Sequence, residues 1–308
     1  MLLALGTVFP VFALILVGWV AGRRAILPEI AVGVLNGFVV RLALPALTFQ
    51  FVAEADWPAL WHPDFLIAMT AGIVVIFAAT IIATVRRAGL GEASIDGLAA
   101  GYANTAFMGI PIATALFGDE GLAGAVIASL LTVCLLFAVA IMFVEYEAHA
   151  ERGLARAARG VLVGLARNPL VTAPAAGGLW ALTGWALPGP LHQLTTLLGS
   201  AASPVALVTI GLFLATTPAG GAAVSRVAPL VALKLVAQPL VTFACVWLLA
   251  VPAPWGPIAV LIAALPTGTG PFMLARLYDR DAAVIARVIL VTTLLSAVTV
   301  SLLVAAIA

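Results

Sequence analysis

The chain has 308 residues, of which 64% are hydrophobic and only 9% are charged, and its formal net charge is +1. Soluble domains carry roughly a quarter charged residues, so this composition excludes a soluble core and places most of the chain in lipid. A net charge close to zero offers no basic face for nucleic acid, and the two cysteines are not in a Cys/His spacing typical of a zinc site.

Ten apolar stretches are long enough to cross a bilayer, which takes about 20 residues per helix. In chain order they lie near 2–21, 34–52, 64–84, 95–117, 121–144, 168–187, 194–215, 228–250, 256–277 and 283–307. The first stretch is too long for a signal peptide, and its positive charges, Arg23 and Arg24, follow the apolar residues instead of preceding them. We therefore predict an all-α polytopic membrane protein with ten spans.

The connections between these spans differ sharply in charge. All but two of the 14 Lys and Arg residues fall on one side, and the opposite connections contain none. The positive-inside rule places the basic side in the cytoplasm and both termini outside, in a multi-pass protein of the cell membrane. The longest connection, 145–168, is predicted to form either a short amphipathic helix on the inner surface or a solvated linker.

The chain also repeats itself at an offset of about 159 residues. The matching pairs are Pro10 with Pro169, Gly18 with Gly177, Pro45 with Pro204 and, one position later in register, Pro111 with Pro271. Because each half contains five spans, the second half enters the membrane from the opposite side. This pattern predicts an inverted-topology repeat, typical of secondary transporters, with one repeat over 1–150 and the other over 151–308.

Spans 4 and 9 are interrupted at matching positions. The interrupting residues are Asn104, Thr105, Gly109 and Pro111 in the first and Pro266, Thr267, Gly268, Thr269, Gly270 and Pro271 in the second. Unwound backbone at membrane depth is tolerated only where it is buried in protein or lines a cavity. A half-helix starting after each break, with proline in its first position, would present free N–H groups to the midplane. We predict that these residues bind an anion.

Several short motifs then resemble one family. "LNGFVVRLALPAL" in span 2, "NTAFMGIP" and "ALFG" in span 4, "ALPTG" and "ARLY" in span 9 and "LLS" in span 10 are similar to the auxin efflux carrier family. Its members include bacterial permeases for small carboxylates and the plant PIN carriers. The resemblance covers nearly the whole chain. The connection between the halves is short, so regulation through the long cytoplasmic loop of the plant carriers is not carried over.

This resemblance implies a secondary transporter of small mono- or dicarboxylates, such as malonate, malate or an auxin. Spans 1, 2, 6 and 7 would form a scaffold, and spans 3–5 and 8–10 a mobile transport domain that moves like an elevator. Spans 4 and 9 would cross at Pro111 and Pro271, and Asn104 would contact the substrate carboxylate. A homodimer through the scaffold is also implied.

Two cations, Arg41 and Lys234, lie about seven residues inside their spans. Such a charge costs roughly 3 kcal/mol or more, so it pairs, faces water or snorkels to the interface. We predict a structural or interfacial role for Arg41. For Lys234, with Gln238 one turn further, two roles stay open: a structural one, and one in balancing the anion or replacing a coupling cation.

No Asp, Glu or His lies near the middle of a span, which argues against a cation–proton antiporter. No cofactor and no bound metal are predicted. Coupling to Na⁺ held by neutral oxygens, coupling to H⁺ without a midplane carboxylate, and transport driven by the anion gradient alone all stay open.

Two other classes of function compete with a transporter. The first is a membrane-embedded sensor that uses the same pocket without net transport. The second is an intramembrane enzyme, which needs a nucleophile with a base or a ligand cluster at depth. Ser200 and Ser203 have no His or Lys partner visible in the sequence, so no catalytic residue is predicted.

Overall fold

The computed structural model describes residues 2–55, 62–148, 159, 162–163, 166–216 and 224–307. The predicted amphipathic helix or linker of 145–168 lies largely outside these residues. Within them the chain is helical and contains no β-strand, only one isolated β-bridge. Six of its helices are individually long and apolar enough to cross a membrane. The all-α class is therefore confirmed, whereas ten crossings remain a prediction.

The helices follow the predicted spans in order. They are α1 (Leu2–Arg23), α2 (Ile30–Glu54), α3 (Pro63–Ala88), α4 (Leu90–Gly101), α5 (105–117), α6 (119–148), α7 (Pro169–Ala181), α8 (Gly189–Thr216), α9 (Val224–Leu248), α10 (Trp255–Ala263), α11 (Gly270–Leu277) and α12 (Ala282–Ile307). Helices α5 and α6 are separated at Gly118, whose φ of 60° and ψ of −134° are not helical. Helices α4 and α5 occupy the predicted span 4, and α10 and α11 occupy span 9.

Three helices widen to π geometry just before a proline. The π turns Val39–Ala43, Thr105–Gly109 and Leu233–Ala237 each end two residues before Pro45, Pro111 or Pro239. Proline lacks an N–H and its ring clashes with the preceding turn, and a widened turn accommodates the ring without ending the helix. Helix α5 therefore begins at Thr105. Pro111 lies at the start of the α-helical segment Ile110–Leu131, as predicted, but a π turn that begins at Thr105 precedes this segment.

Two helix pairs bring their backbones into close contact: α1 with α8, and α2 with α7. A Cβ atom added at Gly18 would lie 2.0 Å from the carbonyl oxygen of Val208, and one added at Gly177 would lie 2.5 Å from that of Phe49. Only glycine allows helices to approach this closely in a membrane, where small residues supply the packing. These four helices form the first packed group of the molecule.

The remaining helices form a second group around the two breaks. Helix α3 packs against α4 and α9, α9 against α10, and α10 against the segment Ile110–Leu131. This arrangement surrounds the ends of α4 and α10 with protein, as irregular backbone at membrane depth requires. The core that positions the candidate site is therefore built from helices on every side of the breaks.

Candidate functional site

The two breaks pair with each other through their backbones. Ala103 and Thr267 form an antiparallel bridge, in which the Asn104 N–H donates to the carbonyl of Pro266 at 2.8 Å and the Gly268 N–H donates to that of Tyr102 at 3.0 Å. The bridge satisfies backbone groups that have lost their helical partners. The two spans therefore cross at Ala103 and Thr267.

The expectation of a crossing at Pro111 and Pro271 is thus wrong. Pro111 lies beyond the π turn of α5, and Pro271 lies in the first turn of α11. The physical reason is that each of the two bridged segments donates a backbone N–H to the other, and proline has no N–H to donate. The prolines shape the helices that follow the crossing, and the crossing itself is made by residues with complete backbones.

The N-terminal ends of α5 and α11 meet at one cavity. Its volume is about 160 Å³, and its lining includes Asn104, Thr105, Ala106, Phe107 and Gly270. The backbone N–H groups of Ala106, Phe107 and Gly270 donate to no acceptor among the described residues. Unpaired N–H groups and the positive ends of helix dipoles favour negative charge. The cavity therefore has the electrostatic character of an anion site without any lysine or arginine in its lining.

Four of the ten predicted site residues line this cavity: Asn104, Thr105, Thr269 and Gly270. Asn104 is 6% exposed, and its side-chain amide has no hydrogen-bond partner among the residues that the structure describes. The Thr105 hydroxyl accepts a hydrogen bond of 2.8 Å from the Ser129 hydroxyl. A buried polar group without a partner costs free energy unless a ligand or water satisfies it, so the Asn104 amide is available to a ligand.

The other predicted residues lie around the cavity and not in its wall. Pro266, Thr267 and Gly268 form the bridge, and the Thr267 hydroxyl donates to the Ala99 carbonyl at 2.7 Å. Gly109 is buried beside Leu265, and Pro271 is buried in α11. These residues position the crossing. Pro111 lines a different and larger cavity.

Tyr102 and Ser129 line the cavity and were missed by the sequence analysis. A Cβ atom at Gly268 or Gly270 would come within 2.9 or 2.8 Å of the Tyr102 ring, so both glycines are needed for the ring to lie against the second break. Tyr102 also makes an edge-on contact with Phe137, with ring centroids 6.0 Å apart. The position of Tyr102 directly before the polar break could have marked it as a site residue. Nothing in the sequence around Ser129 marks that residue.

Helix α9 supplies a hydrogen-bond donor to the C-terminal end of each interrupted helix. The Lys234 Nζ donates to the Ala263 carbonyl at 2.8 Å, at the end of α10, and the Gln238 Nε2 donates to the Gly101 carbonyl at 2.9 Å, at the end of α4. Lys234 is 0% exposed and Gln238 is 1% exposed. Carbonyls at a helix C-terminus are orphaned and carry the negative end of the dipole. The two residues thus cap both half-helices at the crossing.

Arg41 is not part of this arrangement. It lies on the exposed surface of α2, in a shallow groove that also contains Gly33 and Gly37. No partner is recorded for its side chain among the described residues. The structure therefore separates the two intramembrane cations: Lys234 lies at the crossing and Arg41 lies on the surface of the first helix group.

A cluster of charged side chains joins α4 to the starts of α9 and α12. Arg226, at the start of α9, pairs with Glu92 and Asp96 of α4 and with Asp281, which precedes α12, at 3.0 Å for Asp96 and 3.2 Å for Asp281. Asp96 is 2% exposed. A buried carboxylate is tolerated only when it is paired, and Arg226 supplies that pairing. The cluster ties α4, α9 and the start of α12 together.

The family model described as "Membrane transport protein" matches residues 3–304. The chain belongs to this family, which includes the auxin efflux carriers. One relative, named "Putative malonate transporter", from Rhizobium meliloti (strain 1021), is 32% identical over 299 residues, covering 96% of this chain and 93% of that protein. Auxin efflux carrier component 8 of Arabidopsis thaliana is 24% identical and is covered over 88% of both chains.

A third relative of this membrane transport protein family is an uncharacterized transporter from Methanothermobacter thermautotrophicus. It is 26% identical over 309 residues, with 96% of each chain covered. The family and the names of these relatives indicate a membrane-embedded, multi-pass transporter and not an enzyme. The predicted resemblance to auxin efflux carriers is thereby confirmed.

Proposed function

We propose that this transporter carries small dicarboxylates of about the size of malonate, which bind at the crossing of the two broken spans. The observation that carries the proposal is the cavity where unpaired N–H groups of α5 and α11 meet the unpartnered Asn104 amide. In this arrangement one carboxylate accepts hydrogen bonds from Asn104 and from the start of α5, and the other faces the start of α11. Both helix dipoles favour the bound anion.

The volume of the cavity supports a short substrate. Its 160 Å³ equals about five water molecules at roughly 30 Å³ each in the liquid. A three-carbon dicarboxylate occupies a space of this order, whereas the indole ring of an auxin adds a fused bicycle that the cavity would have to open to accept. The name of the Rhizobium meliloti relative agrees with the smaller substrate.

The packing of the first helix group supports an inverted repeat. Residue 177 follows residue 18 by 159 positions, and residue 208 follows residue 49 by the same number, so the contacts Gly18–Val208 and Gly177–Phe49 are equivalent under the repeat. We propose ten spans with both termini outside the cell membrane. In this proposal α1, α2, α7 and α8 are the scaffold, and the second helix group is the transport domain that moves against it. Homodimerisation through the scaffold rests on the family resemblance alone.

Lys234 bears on the coupling of transport. Its ammonium occupies the end of α10, where backbone carbonyls would otherwise be free to coordinate a cation. We propose that Lys234 replaces such a cation, so that transport needs no sodium and follows the anion gradient and the membrane potential. Exchanging sodium for potassium should then leave the transport rate unchanged.

Flux through liposomes that contain only the purified protein tests the proposal. We expect uptake of labelled malonate that unlabelled malonate accelerates from the inside and that indole acetate does not inhibit. The variants N104A and P271A should lose this flux while remaining folded. G189A serves as the matched control, because no atom lies within 4 Å of a Cβ atom at Gly189. Malonate binding without any flux would favour the sensor, and normal flux by N104A would refute the site.

A further inference from the structure

A second and larger cavity lies directly beside the crossing. Its volume is about 850 Å³, and we call it the vestibule. Its lining includes Glu54, at the end of α2, Asp119, at the junction of α5 and α6, and the pair Ile110 and Pro111 of α5. Ile110 also lines the cavity at the crossing. In the proposed orientation the vestibule is the path from the outer side to the substrate site.

The charges along this path have one sign. Glu54 and Asp119 are the ionised side chains of the vestibule lining, and no lysine or arginine of the described residues joins them. Glu54 lies 3.6 Å from His192 Nε2 and 3.4 Å from Gln50 Nε2, and no ion pair of Asp119 is found among the described residues. The sequence adds no cation, since the predicted outer connections contain no Lys or Arg. An anion that enters from outside therefore passes two carboxylates and no lysine or arginine of the described lining.

We propose that Glu54 and Asp119 act as an electrostatic filter that weakens the apparent affinity for dianions on the outer side and leaves the inner side unaffected. The filter selects for low charge: a singly protonated dicarboxylate or a monocarboxylate passes more easily than the dianion. It also speeds release of a dianion that arrives from the cytoplasm. This inference rests on the proposed transport function and adds the residues that set its charge selectivity.

Coulomb's law gives the size of the effect. Two unit charges about 10 Å apart in water repel each other enough to change an equilibrium constant about twofold. A dianion passing two carboxylates meets four such pairs, which amounts to about sixteenfold, and a monoanion meets two pairs, which amounts to about fourfold. Because the Debye length is about 10 Å at 0.1 M salt, the dianion effect falls to about threefold there.

Membrane vesicles of the two orientations test this filter. The double variant E54Q/D119N keeps the shape of both side chains and removes their charge. In right-side-out vesicles at low salt we expect its KM for malonate dianion to fall by up to about sixteenfold, to fall about threefold at 0.1 M salt, and to stay unchanged in inside-out vesicles. E120Q is the matched control, because Glu120 is exposed next to Asp119 but does not line the vestibule.

Two results would overturn the inference. An unchanged KM in right-side-out vesicles would show that the carboxylates do not influence the path, and an equal change from both sides would show that they act on the site itself. Failure of the transport proposal is distinguishable from either result, since the unmodified protein would then show no malonate flux in vesicles of either orientation.

Discussion

The two helix groups differ in how far they keep the symmetry of the sequence repeat. In the first group, the close contacts at Gly18 and Gly177 are equivalent under an offset of 159 residues. At the crossing, the bridge pairs residue 103 with residue 267, an offset of 164, and both caps come from α9 alone. The contacts agree with the predicted repeat in the first helix group, and they depart from it at the crossing.

This difference has a physical basis. Close packing requires only a missing Cβ atom, which either half supplies equally. A bound dicarboxylate needs hydrogen-bond donors of defined direction, and here only the first break contributes an amide side chain, that of Asn104. The second break contributes glycines, which make room for the Tyr102 ring, and of these Gly270 has an N–H without an acceptor among the described residues.

The strongest test of the symmetric part is a pair of valine substitutions at Gly18 and Gly177. Each side chain would collide with a backbone carbonyl, so we expect a loss of about 3 kcal/mol or more in the free energy of unfolding, of similar size for both. Thermal unfolding in detergent measures this. G37V is the control, since no atom lies within 4 Å of a Cβ atom at Gly37. If the protein tolerated one substitution but not the other, the contacts at Gly18 and Gly177 would not be equivalent.

The asymmetric part is tested by N104A against T267V. The Asn104 side chain makes no hydrogen bond within the described protein, and alanine keeps the backbone bonds of this residue, so N104A should keep the unfolding midpoint. It should weaken malonate binding about tenfold or more, as expected for a lost hydrogen bond to a charged group, worth about 1.5–3 kcal/mol. T267V loses the bond to the Ala99 carbonyl and should cost about 1 kcal/mol of stability while binding is retained. Reversed phenotypes would contradict the assignment.

The two caps are tested by K234M and Q238M. K234M leaves the Ala263 carbonyl unpaired at the end of α10, at a cost of about 2 kcal/mol, and Q238M leaves the Gly101 carbonyl unpaired at about 1 kcal/mol. Removal of the ammonium should also make malonate transport depend on sodium, whereas Q238M should not. Transport rates in sodium and in potassium measure the difference, and sodium-independent flux by K234M would argue against its role as a cation substitute.

Much of this arrangement was predictable from the sequence. Apolar stretches located the helices because bilayer thickness fixes their length, and the Pro and Gly content of 101–118 and 264–271 located both breaks. Asn104, Thr105, Thr269 and Gly270 were predicted site residues and line the cavity. These features depend on the composition of short segments, so a single sequence is enough to recognise them.

The crossing point and the caps were not predictable in the same way. The π turn at Thr105–Gly109 accommodates Pro111 and moves the crossing away from the aligned prolines. A proline alone does not mark such a turn, since Pro10 lies inside α1 without one. Lys234 and Gln238 reach carbonyls 29 and 137 residues away in the chain. Contacts over such separations depend on how the helices pack, which hydropathy and spacing do not encode.

The most direct test of the substrate site is a crystal structure of the protein soaked with bromomalonate, located by the anomalous scattering of bromine. We predict one peak in the cavity beside Asn104 and Gly270, with carboxylate density at the starts of α5 and α11. The peak should vanish in N104A crystals. Bromine found only in the vestibule near Glu54, with the crossing cavity empty, would contradict the proposal that the anion binds where the two broken spans meet.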